Sequence, residues 1–208
     1  MRLNTLALVL CLSSTGLGFG DSHEAVVRHT EASVLRIAGT MNRMTVYGPM
    51  AGPYVCSGFV IAPERVLMAE HCIGQSMTAD GLDVQVLKVD EFYDLALLSV
   101  RTPKKPLDLS NKTLERGDAV TGMGYGWGFT RVIAIEGIVT LVDYQVPPEP
   151  DNKPMPPINF FQGGYVGGMS GGPIIDERGQ VVGVVQMSGD GVGLGIGPLL
   201  IRAFLLGI

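Results

Sequence analysis

Charged residues are scarce in this sequence, and several patterns that define other classes of protein are missing from it. They occupy 17% of 208 positions, against 46% for hydrophobic residues, and a chain of that composition is not disordered. Lysine and arginine form no cluster and the net charge is −5, which argues against nucleic acid as a partner. No apolar run approaches the roughly 20 residues that span a bilayer, so we expect no stable membrane anchor. No stretch from 21 to 198 shows sustained helical periodicity, which argues against a mainly helical fold.

Glycine and proline, by contrast, are frequent, with 29 and 13 copies, and they predict many tight turns between short strands. Short β-rich runs occur in two groups, one on each side of a polar stretch at 101–116. The first group covers 33–37, 54–61, 66–68, 84–89 and 95–100, and the second covers 119–123, 131–142, 173–175, 180–187 and 192–196. Two such groups predict two small packed barrels, although periodicity alone would equally allow a β-sandwich. A short terminal helix is expected over 199–206.

The first 20 residues have the features of a secretory signal peptide. A positive residue at the start and a short apolar core at 6–12 are followed by small residues before a predicted cut at Asp21. The alternative is a buried first strand or helix. Export predicts a secreted or periplasmic protein, and it leaves Cys56 and Cys72 as the only cysteines. Such a pair is expected to form a disulfide in an oxidising compartment, the alternative being two buried thiols.

Ser170 lies in the segment GGMSGGP, where four glycines surround it. Glycine permits positive φ and lets a substrate backbone approach closely, and a nucleophilic serine needs both. The N–H groups of Gly168 and Ser170 would then face a developing oxyanion. The plain alternative is a glycine-rich turn. All three histidines (His23, His29 and His71) precede Ser170, which excludes the α/β-hydrolase order and favours the order histidine, aspartate, serine.

His71 and Asp94 are the candidates for the base and the carboxylate of that order. His71 follows an apolar hairpin and directly precedes a cysteine, which makes an ordinary solvated histidine a weaker interpretation. Asp94 begins the apolar strand DLALLSV, where a carboxylate is costly to bury unless a group such as a histidine N–H pairs with it. Asp90 and Glu91 are nearby competitors, but neither directly precedes the strand.

Together these segments resemble the trypsin-like serine peptidases, and most closely the bacterial HtrA-type and glutamyl-endopeptidase-type protease domains. The resemblance is carried by SGFVIAP at 57–63, VLMAEHC at 66–72, DLALLSV at 94–100 and GGMSGGPIID at 167–176. It implies an all-β, chymotrypsin-like fold of two packed six-stranded antiparallel Greek-key barrels with a short C-terminal helix. It places the N-terminal barrel at 21–101, the inter-barrel linker at 102–116, and the C-terminal barrel with its helix at 117–208.

The resemblance also implies a serine endopeptidase that acts on polypeptides and uses no metal or organic cofactor. Ser170 would attack the scissile carbonyl, His71 would carry the proton, and Asp94 would orient the imidazole while an acyl-enzyme forms. Two departures from the family pattern are Glu70 just before the histidine and Met169 just before the serine. They motivate an alternative, a catalytically inactive protease-fold protein that works by binding.

The pocket for the residue before the cut lacks the charged groups that set specificity in well-known relatives. Gly164 stands where trypsins carry an acidic residue, and no histidine follows His71 to meet a glutamate side chain. The resemblance places the pocket at Gly163, Gly164, Gln186, Met187, Ser188 and Gly195. Because these positions are mostly small or apolar, we expect cleavage after uncharged residues that are small or of medium size and apolar.

Overall fold

The computed structural model describes residues 23–45, 48–147, 154–189 and 191–207. Its strands form two antiparallel sheets, one from each half of the chain, and the predicted all-β fold class is confirmed. The predicted signal peptide at 1–20 lies outside the described residues. None of the helices in the described ranges is long and apolar enough to cross a bilayer.

The first half of the chain forms a sheet of seven strands. They are β1 (Val34–Thr45), β2 (Gly48–Ala62), β3 (Arg65–Ala69), β4 (Gln75–Ala79), β5 (Leu82–Asp83), β6 (Gln85–Asp90) and β7 (Leu95–Ser99). Their order in the sheet is β5-β4-β1-β2-β3-β7-β6. The strand beyond the expected six is β5, whose two residues are too short to leave an alternating pattern in the sequence.

The second half forms a closed barrel of six strands, as predicted. They are β8 (Ala119–Gly124), β9 (Ile133–Tyr144), β10 (Ile158–Gln162), β11 (Pro173–Ile175), β12 (Val181–Gly189) and β13 (Val192–Ile196), and they close in the order β10-β13-β12-β11-β8-β9. The residues between β7 and β8 contain no strand and touch the barrel through an isolated bridge from Leu109 to Val181.

Two helices flank the sheets, and the first corrects an expectation. α1 (His23–Glu31) forms although no helical periodicity was found there, because it is nine residues long and buries two side chains, too few for a periodic signal. The terminal helix is confirmed as α2 (Pro198–Leu206). Pro198 occupies its first turn and Gly207, in the left-handed conformation, closes it, and both are typical of those positions.

Buried apolar side chains form three clusters, one within each sheet and one between the sheets. The cluster within the first sheet includes Ile37, Met68 and Leu98, and the cluster within the second includes Phe161, Met169 and Ile174. The third cluster, which we call the inter-sheet core, joins Phe59 and Leu67 from the first sheet, Met123 and Val184 from the second, and Phe204 from α2. The two sheets therefore share a core, and the candidate site lies along the seam above it.

Candidate active site

His71 and Asp94 lie at the same edge of the first sheet. His71 is in a single 3₁₀ turn after β3, and Asp94 is in the turn before β7, the strand that pairs with β3. Asp94 Oδ1 accepts the main-chain N–H of His71 at 2.8 Å, and Asp94 Oδ2 lies 2.8 Å from His71 Nδ1. One carboxylate thus binds the backbone and the ring of the histidine. Because a carboxylate accepts, this contact assigns a proton to Nδ1 of the ring.

The turn that carries Asp94 is held from both sheets. Asp94 has a φ of 49°. This left-handed conformation costs energy in any residue except glycine, and Asp and Asn tolerate it best among the others. The Asp94 carbonyl accepts the N–H of Glu70 at 3.1 Å and the side-chain amide of Gln186 at 3.3 Å. Gln186 Nε2 also donates to the Tyr93 carbonyl at 2.6 Å. These hydrogen bonds hold the strained turn in the conformation that directs the carboxylate at His71.

The loop that carries Ser170 packs directly on the first sheet. The N–H of Ser57 in β2 donates to the Ser170 carbonyl at 2.8 Å. Gly171 has a φ of 83°, and a β-carbon on it would lie 2.2 Å from the Ser57 carbonyl oxygen and 2.8 Å from the Ala69 nitrogen. Because only glycine permits this approach, the serine loop sits against the strand end that carries His71.

The Ser170 hydroxyl itself donates to the main-chain carbonyl of Gln186, at 3.3 Å. Among the described residues it makes no hydrogen bond to His71. Cys72 Sγ lies 3.8 Å from the Ser170 carbonyl oxygen, and both sulfurs of the Cys56–Cys72 pair lie within 4.8 Å of a ring nitrogen of His71. The main chain of Ser170 and the ring of His71 therefore both lie close to the sulfur of Cys72.

The amide groups of Gly168 and Ser170 are oriented through the carbonyls of their own peptide units. In a trans peptide, C=O and N–H point in opposite directions. The Gly167 carbonyl accepts the Trp127 N–H at 2.7 Å, and the Met169 carbonyl accepts the Gly172 N–H at 2.8 Å. In the described part of the chain neither N–H donates a hydrogen bond. The direction of both amides is thus fixed by these two carbonyl contacts.

Cys56 and Cys72 form the predicted disulfide, with Cα atoms 6.2 Å apart. The bridge ties β2 to the 3₁₀ turn that carries His71. The buried Tyr54 hydroxyl supports the same turn by donating to the Cys72 carbonyl at 2.6 Å. The base candidate is therefore positioned by a covalent link as well as by hydrogen bonds.

Sequence analysis missed the role of Ser57, which is fully buried between the sheets. Its Oγ donates to the Gly168 carbonyl and accepts the Tyr125 N–H, both at 2.8 Å. The two partners lie 111 and 68 positions away in the chain, so no local pattern could reveal this contact. Gln186 was expected among the pocket residues, and the structure directs its side-chain amide to the Asp94 turn.

Two of the six predicted pocket positions, Gly163 and Gly164, line a surface groove of about 940 Å³. The groove also contains His23 and Glu136, whose side chains form an ion pair at 2.9 Å. None of the three triad candidates lines it.

The other predicted pocket positions lie on β12 and β13. Gln186 and Gly195 are buried, Met187 is half-buried, and of Ser188 only the backbone is described, in register with Gly193 of β13. The groove and these strand positions therefore do not form one cavity lined by all six residues.

The class of protein follows from comparison with known families. Residues 56–184 match the model of the trypsin-like peptidase domain. That match covers more than half of the chain, and the chain belongs to this family. The predicted family, the trypsin-like serine peptidases, is confirmed.

Individual relatives agree with this class. The serine proteases MT3772 and Rv3671c of Mycobacterium tuberculosis are each 32% identical over 172 residues, which is 77% of this chain and 41% of theirs. The chain thus spans about two fifths of the length of the curated relatives that it matches. The crystal structure of Rv3671c protease in its active form aligns with a TM-score of 0.74 and 26% identity, over 87% of this chain and 82% of that chain. A serine endoprotease from Yersinia pestis shares the fold, with a TM-score of 0.68 and 18% identity over 89% and 66% of the two chains.

Proposed function

We propose that this chain is an exported serine endopeptidase with Ser170 as nucleophile, His71 as base and Asp94 as orienting carboxylate. The observation that carries the proposal is the pair of 2.8 Å hydrogen bonds from one Asp94 carboxylate to the ring and backbone of His71. The serine loop seated on the same sheet edge and the family membership support it.

The alternative of an inactive binding protein rested on Glu70 and Met169. Met169 is fully buried in the core of the second barrel, so its side chain fills space rather than entering the site. The backbone of Glu70 donates to the carbonyl of Asp94 and so supports the proposed carboxylate. Neither departure therefore removes a group that the chemistry needs.

In the acylation step Ser170 Oγ bonds to the carbonyl carbon of a peptide while its proton passes to Nε2 of His71. The carbonyl oxygen becomes an oxyanion, which the N–H groups of Gly168 and Ser170 bind. Asp94 stabilises the positive imidazole. The C–N bond then breaks as His71 returns the proton to the leaving amine, and an ester on Ser170 remains.

In deacylation a water molecule takes the place of the leaving amine. His71 removes its proton as the oxygen attacks the ester carbon, and the second tetrahedral intermediate uses the same two N–H donors. The Ser170–carbon bond breaks, the proton returns to Ser170 Oγ, and a new carboxyl terminus leaves. Apart from the substrate and this water, every group named in the two steps belongs to the chain.

The substrate in this proposal is a polypeptide cut after an uncharged residue, small or of medium size and apolar. The pocket positions, which carry no charged side chain, support this preference. We place the mature protein outside the cytoplasm, secreted or periplasmic, after removal of residues 1–20. The Cys56–Cys72 disulfide supports this location because such bonds persist in oxidising compartments.

A fluorophosphonate probe, which reacts with activated serines, tests the proposal. We expect the mature protein to be labelled and Ser170→Ala to abolish labelling and peptide hydrolysis. Ser99→Ala, on β7 and away from the site, is the matched control and should label like the wild type. Folded wild-type protein that takes up no label and cuts no peptide would overturn the peptidase and favour the binding protein.

A further inference from the structure

Residues 167–170 of the serine loop have four consecutive main-chain carbonyls, and a hydrogen bond holds each of them. Backbone N–H groups bind three: Trp127 donates to Gly167, Gly172 to Met169, and Ser57 to Ser170. The carbonyl of Gly168 is bound by a side chain, because Ser57 Oγ donates to it at 2.8 Å. A side-chain substitution at position 57 therefore removes this contact and leaves the donors of the three backbone contacts in the chain.

The Ser57 hydroxyl is a bridge whose direction the partners decide. Its oxygen accepts the N–H of Tyr125 at 2.8 Å, and its single proton goes to the Gly168 carbonyl, which can only accept. Ser57 is fully buried, and away from water the hydrogen bonds of such a chain polarise and strengthen one another. The hydroxyl thus ties the residue that follows β8 to the serine loop.

The two groups that the hydroxyl joins lie on either side of the contact that orients the Gly168 N–H. Tyr125 begins the turn whose Trp127 N–H binds the Gly167 carbonyl, and that carbonyl belongs to the same peptide unit as the Gly168 N–H. Trp127 has a φ of 52°, a left-handed conformation that is costly for a bulky residue. Ser57 therefore supports the strained donor through Tyr125 and the loop through the Gly168 carbonyl.

A glycine on β8 leaves the room that this hydroxyl needs. A β-carbon on Gly124 would lie 2.6 Å from Ser57 Oγ and 2.9 Å from the α-carbon of Met169. A side chain at position 124 would push the hydroxyl and the serine loop apart. The second sheet is therefore shaped to receive the hydroxyl of Ser57 beside the loop.

From this geometry we infer that Ser57 is a positioning residue of the proposed peptidase. Its hydroxyl holds the serine loop in the conformation in which the Gly168 N–H binds the oxyanion, and the inference rests on the proposed function. Without the hydroxyl, the Gly168 carbonyl and the Tyr125 N–H lose this partner. Because a buried polar group without a partner is costly, the loop shifts, and the glycines at 167 and 168 permit the shift.

The test compares Ser57→Ala with the wild type on a fluorogenic peptide that has alanine before the cut. We expect kcat per folded molecule to fall by about 10- to 100-fold while KM stays near the wild-type value. The fall is smaller than the roughly 10²–10³ for a deleted oxyanion donor, because the Gly168 N–H is displaced and not removed. The rate of fluorophosphonate labelling should fall with kcat, since the same N–H groups bind the phosphonyl oxygen.

Two further variants separate positioning from a purely structural role. Ser110, between β7 and β8, is 1% exposed, and its Oγ accepts the N–H of Lys112 at 3.1 Å. Ser110→Ala removes a comparable buried hydroxyl away from the site and should keep the wild-type kcat per folded molecule. Ser57→Thr keeps the hydroxyl and should recover most of the kcat and of the labelling rate that Ser57→Ala loses.

Labelling of the wild type distinguishes failure of this inference from failure of the proposed function. If the wild type takes up no label, the peptidase itself is wrong. If it is labelled, only the inference about Ser57 is overturned by any of three results: folded Ser57→Ala with wild-type kcat, a loss through KM alone, or Ser57→Thr as slow as Ser57→Ala. If circular dichroism shows that Ser57→Ala does not fold, Ser57→Cys, a weaker donor and acceptor, is measured against the same expectation.

Discussion

Gln186 links the proposed nucleophile to the turn that carries the proposed carboxylate. Its main-chain carbonyl accepts the Ser170 hydroxyl, and its side-chain amide donates to the carbonyls of Tyr93 and Asp94. We expect Gln186→Met, which keeps the length of the side chain but removes the donor, to lower kcat about 10-fold. That is the effect of losing about 1.4 kcal/mol in total with the two side-chain hydrogen bonds that hold the Asp94 turn.

A positioning role predicts a particular kinetic signature for this variant. KM should stay near the wild-type value while kcat and the rate of fluorophosphonate labelling fall together. Gln162→Met, an exposed glutamine on β10, is the matched control and should change neither. A normal labelling rate in folded Gln186→Met protein would show that the amide does not position the triad.

The candidate catalytic residues were the features easiest to predict from the sequence. The contacts between the two sheets were the hardest. Ser170, His71 and Asp94 could be singled out because each stands in a distinctive local segment. Ser57 was missed, and Gln186 was named only as a pocket position, because the partners of these two residues lie between 16 and 111 positions away and neither residue type is unusual where it stands. Such contacts depend on how the two sheets are packed, which no local pattern records.

The turn at Gly126–Gly128 and the serine loop form the element that orients the proposed oxyanion donors. Gly168 has a φ of 98°, and a β-carbon on it would lie 2.3 Å from the Tyr125 carbonyl oxygen. Gly168→Ala must therefore displace the loop and its N–H. We expect kcat to fall by about 10²–10³, the effect of removing one oxyanion donor, while circular dichroism shows a folded protein.

Gly117→Ala is the control that separates lost orientation from backbone strain. Gly117 has a similar φ, 93°, but a β-carbon on it meets nothing within 4 Å. This variant should lose about 1 kcal/mol of stability through strain and keep wild-type kcat per folded molecule. Equal kcat in the two variants would mean that the Gly168 N–H does not serve the reaction.

Among the elements, apolar strands were predictable even when short, as the three residues of β11 show, whereas β4, β5 and β10 were missed. β2 and β12 gave apolar runs bounded by turn residues, whereas β5 has two residues and β10 has five beside a proline-rich stretch. α1 was not predicted for a related reason, since it is a short helix that buries only two side chains. An element leaves a periodic signal only when it is long enough to present several residues to a core.

The molecule as a whole is held together by the inter-sheet core, and α2 is the element that closes it. Phe204 of α2 is 1% exposed in this core, and Lys88 of β6 contacts it from the first sheet, with Nζ 4.8 Å from the ring centroid. We expect Phe204→Ala to lower the free energy of unfolding by about 3–5 kcal/mol, as for other buried aromatic residues. Leu206→Ala, on the same helix but 74% exposed, should change it by less than about 0.5 kcal/mol.

Because the inter-sheet core contains residues of both sheets, Phe204→Ala should lower the stability of the two sheets together. Fluorescence of Trp127, the single tryptophan, follows the second barrel, and far-ultraviolet circular dichroism follows all the strands. In Phe204→Ala the two transitions in urea should coincide at a lower midpoint, as they do when unfolding is two-state. If instead the tryptophan signal kept its wild-type midpoint while the dichroism changed earlier, the sheets would be unfolding separately. The seam that positions Ser170 against His71 would then owe its stability to contacts other than this core.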